Sequence, residues 1–308
     1  SMPHPGYYDA TGSEVVSVDP STNVWKIIRS FCVSGESQPD RPDNVGWAYD
    51  SKRDRGLMTP GYYFTNYQLE TMASLGCVSN NGWGGYALDF KTGKFVGPDA
   101  AAGLIPPPDG WGGDTDASYS FYVSKTDELC RLRNGPRLEC LNLTTKTWRL
   151  IRLSRSDVGS NWNPSPNRMQ PALDAQGDAV YWLDVGTGYF DGVFASGGTP
   201  ALIKVRLTDG AITAIPLPSQ FKLPSLGNDI YLAFDPINRL VLVPNNLDMG
   251  VSPIVGLGIY QVDTGRWEWE TPPSAVMGSA WGFDENIGAL IGIGKRQWPF
   301  GYYIYKYK

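Results

Sequence analysis

Histidine is almost missing from this 308-residue chain, which contains only His4. A single histidine excludes a Ser-His-Asp triad, a Cys-His pair and a metal centre built on several imidazole ligands. The P-loop and G-x-S-x-G motifs are also lacking, and the glycines of residues 82–85 do not have dinucleotide-binding spacing. Any catalysis would therefore depend on carboxylate, tyrosine, lysine or arginine side chains.

Basic runs and long apolar runs are lacking as well. The net charge is −5, and lysine and arginine are scattered along the sequence. A nucleic-acid partner is not expected, because binding to a phosphate backbone needs a concentrated positive surface. No apolar stretch reaches about 18 residues, so we expect no membrane-spanning helix. Only a few short stretches, such as residues 66–74, have the composition of a helix.

Cysteine is scarce and does not have metal-binding spacing. The chain has four cysteines, Cys32, Cys77, Cys130 and Cys140. None belongs to a C-x-x-C pair, which argues against a zinc site. Cys130 and Cys140 flank Asn134-Gly135, a strong hairpin turn signal, so they either form a disulfide between facing strands or remain two buried thiols.

The abundant residues indicate strands and turns. Glycine and proline number 36 and 24, and aromatic residues make up 13% of the chain. This composition favours many short strands joined by tight turns over long helices. Two kinds of hairpin alternate along the sequence.

The first kind of hairpin has an apolar strand, a turn centred on aspartate and a second apolar strand. In residues 230–243, for example, Asp235 opens the turn by capping its own backbone. The pattern occurs five times, in residues 46–58, 119–132, 171–182, 230–243 and 280–293. Asp50, Asp174 and Asp284 occupy the same place as Asp235, so we assign these aspartates to turn formation and not to chemistry.

The second kind of hairpin has a strand, a loose D/N-x-x-T/S-x-x-W turn and another strand. It also occurs five times, in residues 15–25, 86–95, 138–148, 203–212 and 259–267. Each copy alternates with a copy of the first kind, so the chain encodes five pairs of hairpins. Five pairs make five four-stranded antiparallel sheets, and such small sheets must stack because none buries both of its faces alone.

Radial stacking of these sheets produces a β-propeller. We therefore predict an all-β fold with five four-stranded antiparallel blades, six being the alternative, in one domain spanning residues 1–308. Strands from both ends of the chain are expected to complete the closing blade. Residues 1–12 are expected to form a flexible leader.

The strand and turn pattern resembles that of kelch-type β-propellers, such as the central domain of galactose oxidase-like proteins. The resemblance rests on AYDSKRDRGL at residues 48–57, on AFDPINRL at residues 233–240, and on the hairpins close to D-x-x-T-x-x-W. It covers most of the chain and implies the propeller fold. Kelch propellers bind proteins, bind glycans or host catalysis, so the resemblance implies several roles and not one function.

Connection lengths predict that function lies on one face of the propeller. The turns inside the hairpins are short in every repeat and belong to one face. The connections of the opposite face are long, namely residues 59–85, 97–117, 154–168, 184–199, 216–228, 244–256 and 295–301. Connections of this length usually carry function or are disordered.

The long connections are rich in aromatic rings and planar polar groups. This combination suits a sugar, because rings stack on its CH faces while amides and carboxylates bind its hydroxyls. We predict ligand binding by Tyr62, Tyr63, Trp83, Trp111, Trp162, Asn163, Asn245, Asn246, Arg296 and Trp298. The alternative is that these aromatic rings pack the connections onto the propeller.

The same connections hold the candidates for catalysis. Two carboxylates could hydrolyse a glycosidic bond, and a tyrosine paired with an arginine could serve a polysaccharide lyase. The candidate catalytic residues are Asp114, Asp184, Asp191, Asp248, Tyr189 and Arg168. We expect no cofactor and no metal site, the alternative being a structural Ca²⁺ bound by the oxygens of Asp184, Asp191 and Asp248.

Three functional hypotheses follow from these observations. The first is a secreted or surface-exposed propeller that binds a carbohydrate or a partner protein on the face with the long connections. The second is a carbohydrate-active enzyme that uses the same face, and the third is a structural or adhesion module of a larger assembly. The 11 tryptophans and the candidate disulfide favour an extracellular or cell-surface location.

Overall fold

The computed structural model shows a chain built of β-strands and short turns. The described residues are 15–19, 22, 24–29, 37–39, 46–59, 78–80, 84–111, 120–133, 137–153, 169–184, 188–190, 193–195, 199–221, 230–246, 254–271, 280–293 and 302–306. The chain divides into two compact units. The first comprises Ser1–Arg133 and Glu139–Leu150, and the second comprises Asn134–Leu138 and Ile151–Lys308.

The first unit contains blade A and most of blade B, two antiparallel four-stranded sheets. It begins with the hairpin of β1 (Val15–Asp19) and β2 (Val24–Arg29), followed by β3 (Ser37–Pro39), which pairs in parallel with β6 (Val78–Asn80). Blade A has the strand order β4 (Gly46–Asp50), β5 (Arg55–Thr59), β7 (Tyr86–Asp89) and β8 (Lys94–Val96). A 3-10 helix at Asp99–Ala102 leads to blade B, which is formed by β9 (Ser120–Val123), β10 (Glu128–Arg133), β11 (Arg137–Asn142) and β12 (Thr147–Arg152).

The second unit contains the antiparallel blades C and D and the three-stranded blade E. Blade C is formed by β14 (Ala172–Asp174), β15 (Ala179–Asp184), β18 (Ala201–Arg206) and β19 (Ile212–Pro216), with the hairpin of β16 (Gly188–Phe190) and β17 (Val193–Ala195) inserted after β15. Blade D is formed by β21 (Ala233–Asp235), β22 (Leu240–Asn246), β23 (Ile254–Gln261) and β24 (Arg266–Glu270). The short strands β13 (Met169–Gln170) and β20 (Ile230–Tyr231) pair in parallel, and blade E is formed by β25 (Ala280–Asp284), β26 (Ala289–Ile293) and β27 (Tyr302–Tyr305).

These sheets are the blades of a five-bladed β-propeller, so the predicted fold class is confirmed. Within the described residues, β27 pairs with β26 and β1 pairs with β2, and closure by strands from both termini stays a prediction. The single domain also stays a prediction, and the expected leader, residues 1–12, lies outside the described residues. Among the described residues, no helix has the length and apolar character to span a membrane.

Blades B and C each contain a strand that is buried along its whole length. Every residue of β9 and of β15 is buried, although successive side chains of a strand point to opposite faces of the sheet. Both faces of these strands are therefore covered. The outer strands β12 and β24 consist of exposed and partly buried residues except for the buried Ile151, as expected at the rim of a blade.

Two apolar clusters show how neighbouring blades pack. In the first unit, Leu57 and Ala87 of blade A share a buried cluster with Leu129 and Leu141 of blade B. In the second unit, the cluster joins blades D and E; its fully buried members are Ala233, Leu242, Leu257, Ile259 and Leu290. Each pair of blades thus buries one face of each sheet against the other, which is the packing that the repeated hairpins predict.

All nine described turns inside the blades share one backbone form. The fourth residue after the strand has a left-handed φ in every turn, namely in Asp54, Gly93, Asp127, Lys146, Asp178, Gly210, Arg239, Gly265 and Gly288. Glycine and asparagine adopt this φ most readily. The position is glycine in four turns and a charged residue in the other five, although a side chain is uncommon there.

The aspartates that open the turns form the predicted caps. Asp235 Oδ1 accepts hydrogen bonds from the backbone N–H groups of Ile237 and Asn238, at 2.8 and 3.1 Å. Asp174 Oδ1 accepts one from the N–H of Gly177 at 2.8 Å. The same kind of bond is made by Asp50 and Asp284. Turn formation explains these four carboxylates, as the sequence pattern indicated.

Cys130 and Cys140 form a disulfide between β10 and β11 of blade B. Of the two alternatives left open by the sequence, the disulfide is therefore the one that the structure shows. Both residues are fully buried. The turn signal Asn134-Gly135, Cys32 and Cys77 lie outside the described residues.

Four of the predicted long connections contain regular structure, and two of them are residues 59–85 with β6 and residues 97–117 with the 3-10 helix. Residues 184–199 include the hairpin β16–β17, and β22 continues through Asn246 while β23 begins at Ile254. The prediction that the strand ends at Pro244 was wrong, because Pro244 pairs with Leu257 and the ladder continues beyond it. Proline lacks one backbone donor and weakens a ladder without always ending it.

Candidate functional site

The strands of blades C and D share one end where the chain adds structure beyond the blades. At this end, which we call the long-connection end, β15 and β22 stop and β18 and β23 begin. The compact four-residue turns belong to the opposite, turn end. Both blades lie in the second unit, and their inner strands β14 and β21 are in contact.

In blade C, Asp184 is the last residue of β15 and lies at the base of an inserted hairpin. It pairs with Ala201 of β18, and only 6% of its surface is exposed. The hairpin β16–β17 follows directly, with Tyr189 opposite Phe194 in its ladder. The backbone therefore places the candidate residues Asp184 and Tyr189 at the same end of one blade.

In blade D, Asn245 and Asn246 complete the extended strand β22. They pair with Gly256 and Ile254 of β23, and a bulge separates the two asparagines. A bulge changes the direction in which a strand presents its side chains, and bulges are frequent beside binding sites. The predicted ligand-binding asparagines thus lie on a strand end and not in a loop.

Aromatic packing holds this end of blade D in place. A Cβ atom added to Gly256 would overlap the ring of Trp269, so the tryptophan covers the backbone of the neighbouring strand. Trp269 also meets Phe221 edge to face, with ring centroids 6.2 Å apart. Phe221 follows the last strand of blade C, so the contact joins the exit of one blade to the outer strand of the next.

The parallel pair β13–β20 links the entries of the two blades. Met169 pairs with Ile230 and Gln170 with Tyr231, and the N–H of Leu232 donates to the carbonyl of Gln170 at 3.0 Å. β13 leads into β14 and β20 leads into β21, the innermost strands of blades C and D. The two short strands run in the same direction and therefore pair in parallel. The hairpin, the bulged strand and this pair are therefore features of one end of the second unit.

Trp111 is the one predicted aromatic ligand whose side chain the structure describes, and its ring is packed in the core. It is 6% exposed, and its Nε1 donates to Asp99 Oδ1 at 2.7 Å. The ring also meets Trp148 edge to face at 5.9 Å. This is the packing alternative that the sequence left open, because a covered ring offers no broad face for stacking on a sugar.

The other predicted site residues divide into two groups. For Tyr189, Asn245 and Asn246 the structure describes the backbone alone. Those that lie outside the described residues are Tyr62, Tyr63, Trp83, Asp114, Trp162, Asn163, Arg168, Asp191, Asp248, Arg296 and Trp298. Their roles in binding or catalysis stay predictions.

Blade B contains a buried ion pair that the sequence reasoning missed. Arg131 donates from Nε to Glu139 Oε2 at 2.8 Å, and both residues are 2% exposed. The guanidinium carbon lies 5.1 Å from the ring centroid of Trp111 and 5.9 Å from that of Trp148. The sequence did contain a signal for this ion pair. Arg131 follows Cys130 and Glu139 precedes Cys140, so two opposite charges occupy matching places in one hairpin.

The described side chains contain one cluster with the composition of a metal site, and it is not available to a metal ion. Glu128, Cys130 and Cys140 bring potential ligand atoms within 4.8 Å of one another. The two sulfur atoms are joined as a disulfide, so neither is a thiolate. Of the three aspartates proposed for Ca²⁺, only Asp184 is described, and that site stays a prediction.

No family model and no curated protein matches this sequence. Solved structures with a similar course of the chain include TolB from Acinetobacter baumannii, at 15% identity and a TM-score of 0.49, where the alignment covers 87% of this chain and 51% of TolB. A chain of a nidogen/laminin complex aligns at 9% identity and a TM-score of 0.47, covering 91% of this chain and 84% of that one.

The extracellular domain of a hybrid two-component system from B. thetaiotaomicron also aligns, at 14% identity and a TM-score of 0.47. The alignment covers 92% of this chain and 30% of that one. This chain thus spans about half of TolB and less than a third of the two-component protein.

Proposed function

We propose that this protein is a binding β-propeller that holds a partner protein or a carbohydrate at the long-connection end of blades C and D. The observation that carries the proposal is the difference between the two ends of these blades. At the turn end, every described turn has the same compact form. At the other end, the chain adds the hairpin β16–β17, a bulged extension of β22 and the pair β13–β20. Elaboration of one face of a repeat scaffold is typical of a binding surface.

A partner protein is the ligand that the hairpin β16–β17 favours. Within the described residues the hairpin is a sheet of two strands, so each strand has an open edge of backbone groups. A partner can add a strand to such an edge through main-chain hydrogen bonds. Carbohydrate binding by the predicted aromatic residues and the kelch-type relationship of residues 48–57 and 233–240 remain proposals beside this one.

The disulfide of blade B supports an extracellular or cell-surface location as part of the proposal. Cys130 and Cys140 are joined in the core of a blade. Disulfides persist in oxidising compartments and are rare in reducing ones. An extracellular propeller would meet glycans and surface proteins, which are the ligand classes proposed here.

The test compares ligand capture by the protein, by a variant whose residues 187–196 are replaced with a short Gly-Ser linker, and by Ile237→Ser. Ile237 is a matched control, because it is 60% exposed and lies at the turn end of blade D. A glycan array tests the carbohydrate arm, and pull-down with mass spectrometry tests the protein arm. We expect to find ligands that are captured by the protein and by Ile237→Ser but not by the linker variant. Equal capture by the linker variant would contradict the proposal.

A carbohydrate-active enzyme is the second candidate, and the position of Asp184 favours it. This carboxylate is almost fully buried at the same end as the hairpin. Glycoside hydrolysis needs a protected carboxylic acid and a second carboxylate, for which Asp191 and Asp248 are the predicted partners. Release of reducing sugar that Asp184→Asn abolishes would support a hydrolase. Formation of an unsaturated, absorbing product that Tyr189→Phe abolishes would support a lyase.

A further inference from the structure

The turns of blades A and B contain lysines, whereas the described turns of the other blades do not. Each of the four turns of blades A and B contains one lysine, whereas the five described turns of blades C, D and E contain none. The four are Lys52, Lys91, Lys125 and Lys146, and all are exposed. Lys52, Lys91 and Lys125 occupy the second position of their turns, and Lys146 occupies the fourth.

The four lysines lie at one end of the first unit. The two turns of an antiparallel four-stranded sheet are at the same end of the sheet. The turn ends of blades A and B are joined by Arg53 of blade A and Asp127 of blade B, which form an ion pair at 2.7 Å. The turn end of blades A and B is therefore one surface with a lysine in each of its turns.

Lys146 and Arg55 bring two positive charges together on this surface. Lys146 Nζ donates to the carbonyl of Gly103 at 2.6 Å, and Arg55 Nη1 donates to the preceding carbonyl, that of Ala102, at 2.9 Å. A Cβ atom placed on Gly103 would lie 3.3 Å from Lys146 Nζ and 3.8 Å from Arg55 Nη2. Two cations this close repel each other unless an anion lies between them.

Two carboxylates of this surface form ion pairs with arginines. Asp50 pairs with Arg55 and Arg53, and Asp127 pairs with Arg53. Among the described residues, no carboxylate lies within ion-pair distance of Lys146. Partial loss of solvent around the ammonium group, followed by the charges of Arg55 and Arg53, lowers the pKa of Lys146, although its side chain is exposed. The group formed by Lys146, Arg55, Arg53, Asp50 and Asp127 thus has three cations and two carboxylates.

We infer that the turn end of blades A and B binds an acidic peptide segment. One carboxylate is held between Lys146 and Arg55, where Lys146 Nζ and Arg55 Nη2 supply the hydrogen-bond donors. Further carboxylates pair with Lys52, Lys91 and Lys125. The surface lies in the first unit and is distinct from the long-connection end of blades C and D, so the inference stands independently of the proposed function.

The arrangement of charges selects a peptide over a nucleic acid. Asp54 follows Lys52 and Arg53 in one turn, and Asp89 directly precedes another turn that contains Lys91. These carboxylates repel a continuous phosphate backbone, whose binding depends on uninterrupted positive potential. An acidic peptide has separate carboxylates and can place each one beside a lysine, leaving neutral residues next to the aspartates.

The test measures binding of a fluorescein-labelled peptide of alternating glutamate and glycine by fluorescence anisotropy at low and high salt. The turn variant changes all four turn lysines to glutamine. A control variant with the same change in net charge alters four exposed residues outside these turns, Lys26→Gln, Arg152→Gln, Arg266→Gln and Lys306→Gln. We expect about tenfold weaker binding for the turn variant and less than about twofold for the control, with binding weakened by salt.

Single substitutions test whether Lys146 contributes more to peptide binding than another turn lysine does. Lys146→Gln should weaken binding about threefold, and Lys125→Gln, at the equivalent end of the same blade, should have a smaller effect. Absence of peptide binding at low salt, or equal losses in the turn and control variants, would overturn the inference. Tighter binding of a single-stranded oligonucleotide than of the peptide would also overturn it.

Discussion

Arg239 and Asp174 join blades D and C through a two-point ion pair. Arg239 Nη1 and Nη2 donate to Asp174 Oδ1 and Oδ2 at 3.1 and 2.9 Å, although the two residues are 65 positions apart. Asp174 is fully buried and also caps its own turn. Arg239 occupies the left-handed position of its turn, and its Nε donates to Asp263, which is 65% exposed. One arginine therefore has a buried and an exposed acidic partner.

This geometry predicts unequal costs for two equivalent substitutions. Asp174→Asn keeps the oxygen that caps the turn but removes the buried charge, and it should lower the free energy of unfolding by about 2 kcal/mol. Asp263→Asn removes the exposed partner of the same arginine and should cost less than about 1 kcal/mol. Urea unfolding of both variants provides the measurement. Equal costs would show that burial of Asp174 does not matter to the pair.

A similar bridge in the first unit predicts a pH dependence. The hydrogen bonds and charge of Arg53 hold the pKa of the Asp127 carboxyl well below its usual range, with further hydrogen bonds from Thr144 and Tyr122. In the unfolded chain this carboxyl titrates near pH 4. Its stabilisation is therefore complete above about pH 5 and is lost as the pH falls through 4 towards the lower, folded pKa.

Asp127→Asn tests this dependence. At pH 7 the variant should be less stable than the protein by about 1–2 kcal/mol, and the difference should shrink as the pH is lowered towards 3. The free energy of unfolding is measured by urea denaturation at several pH values. A difference that stays constant from pH 7 to pH 3 would mean that the charge of Asp127 contributes nothing.

The blades were predictable because their signals are local. Alternating apolar residues mark the strands, and an aspartate opens four of the five hairpins of the first kind. The hydrogen bonds that Asp235 accepts from the next backbone N–H groups confirm that this pattern encodes a turn. The chemistry of Asp235 is therefore structural, as its repetition along the sequence indicated. Strand extension past Pro244 was missed, because the register with Leu257 depends on the partner strand.

The contacts between blades could not be predicted from the sequence. Arg239 reaches Asp174 only after blades C and D have packed, and blade geometry places the four turn lysines of blades A and B at the same end of the first unit. Trp111 was predicted to bind a ligand because its connection is long and aromatic. Its ring is instead covered by packing, which a count of loop aromatics does not reveal.

The buried pair of Arg131 and Glu139 predicts that one substitution is worse than two. Glu139→Ala leaves the guanidinium buried between Trp111 and Trp148 without its carboxylate, and it should cost about 3–4 kcal/mol. The double variant Arg131→Met/Glu139→Leu removes both charges and keeps most of the volume, so it should be more stable than Glu139→Ala. Thermal or urea unfolding compares the two. A double variant less stable than the single one would contradict this account.

The disulfide of blade B provides the last prediction. Cys130 and Cys140 are 10 positions apart and fully buried, so the link restricts a short loop of the unfolded chain. Replacing both residues with alanine should lower the free energy of unfolding by about 2–3 kcal/mol, less any gain from relief of native strain.

Urea unfolding with and without dithiothreitol separates this effect from that of Cys32 and Cys77. The reductant should destabilise the unaltered protein by about as much as the double substitution does, because reduction removes the same restriction on the unfolded chain. Any further loss that the reductant causes in the double variant belongs to the other two cysteines. Equal stability of the protein and the double variant under oxidising conditions would show that the link between β10 and β11 does not stabilise the blade.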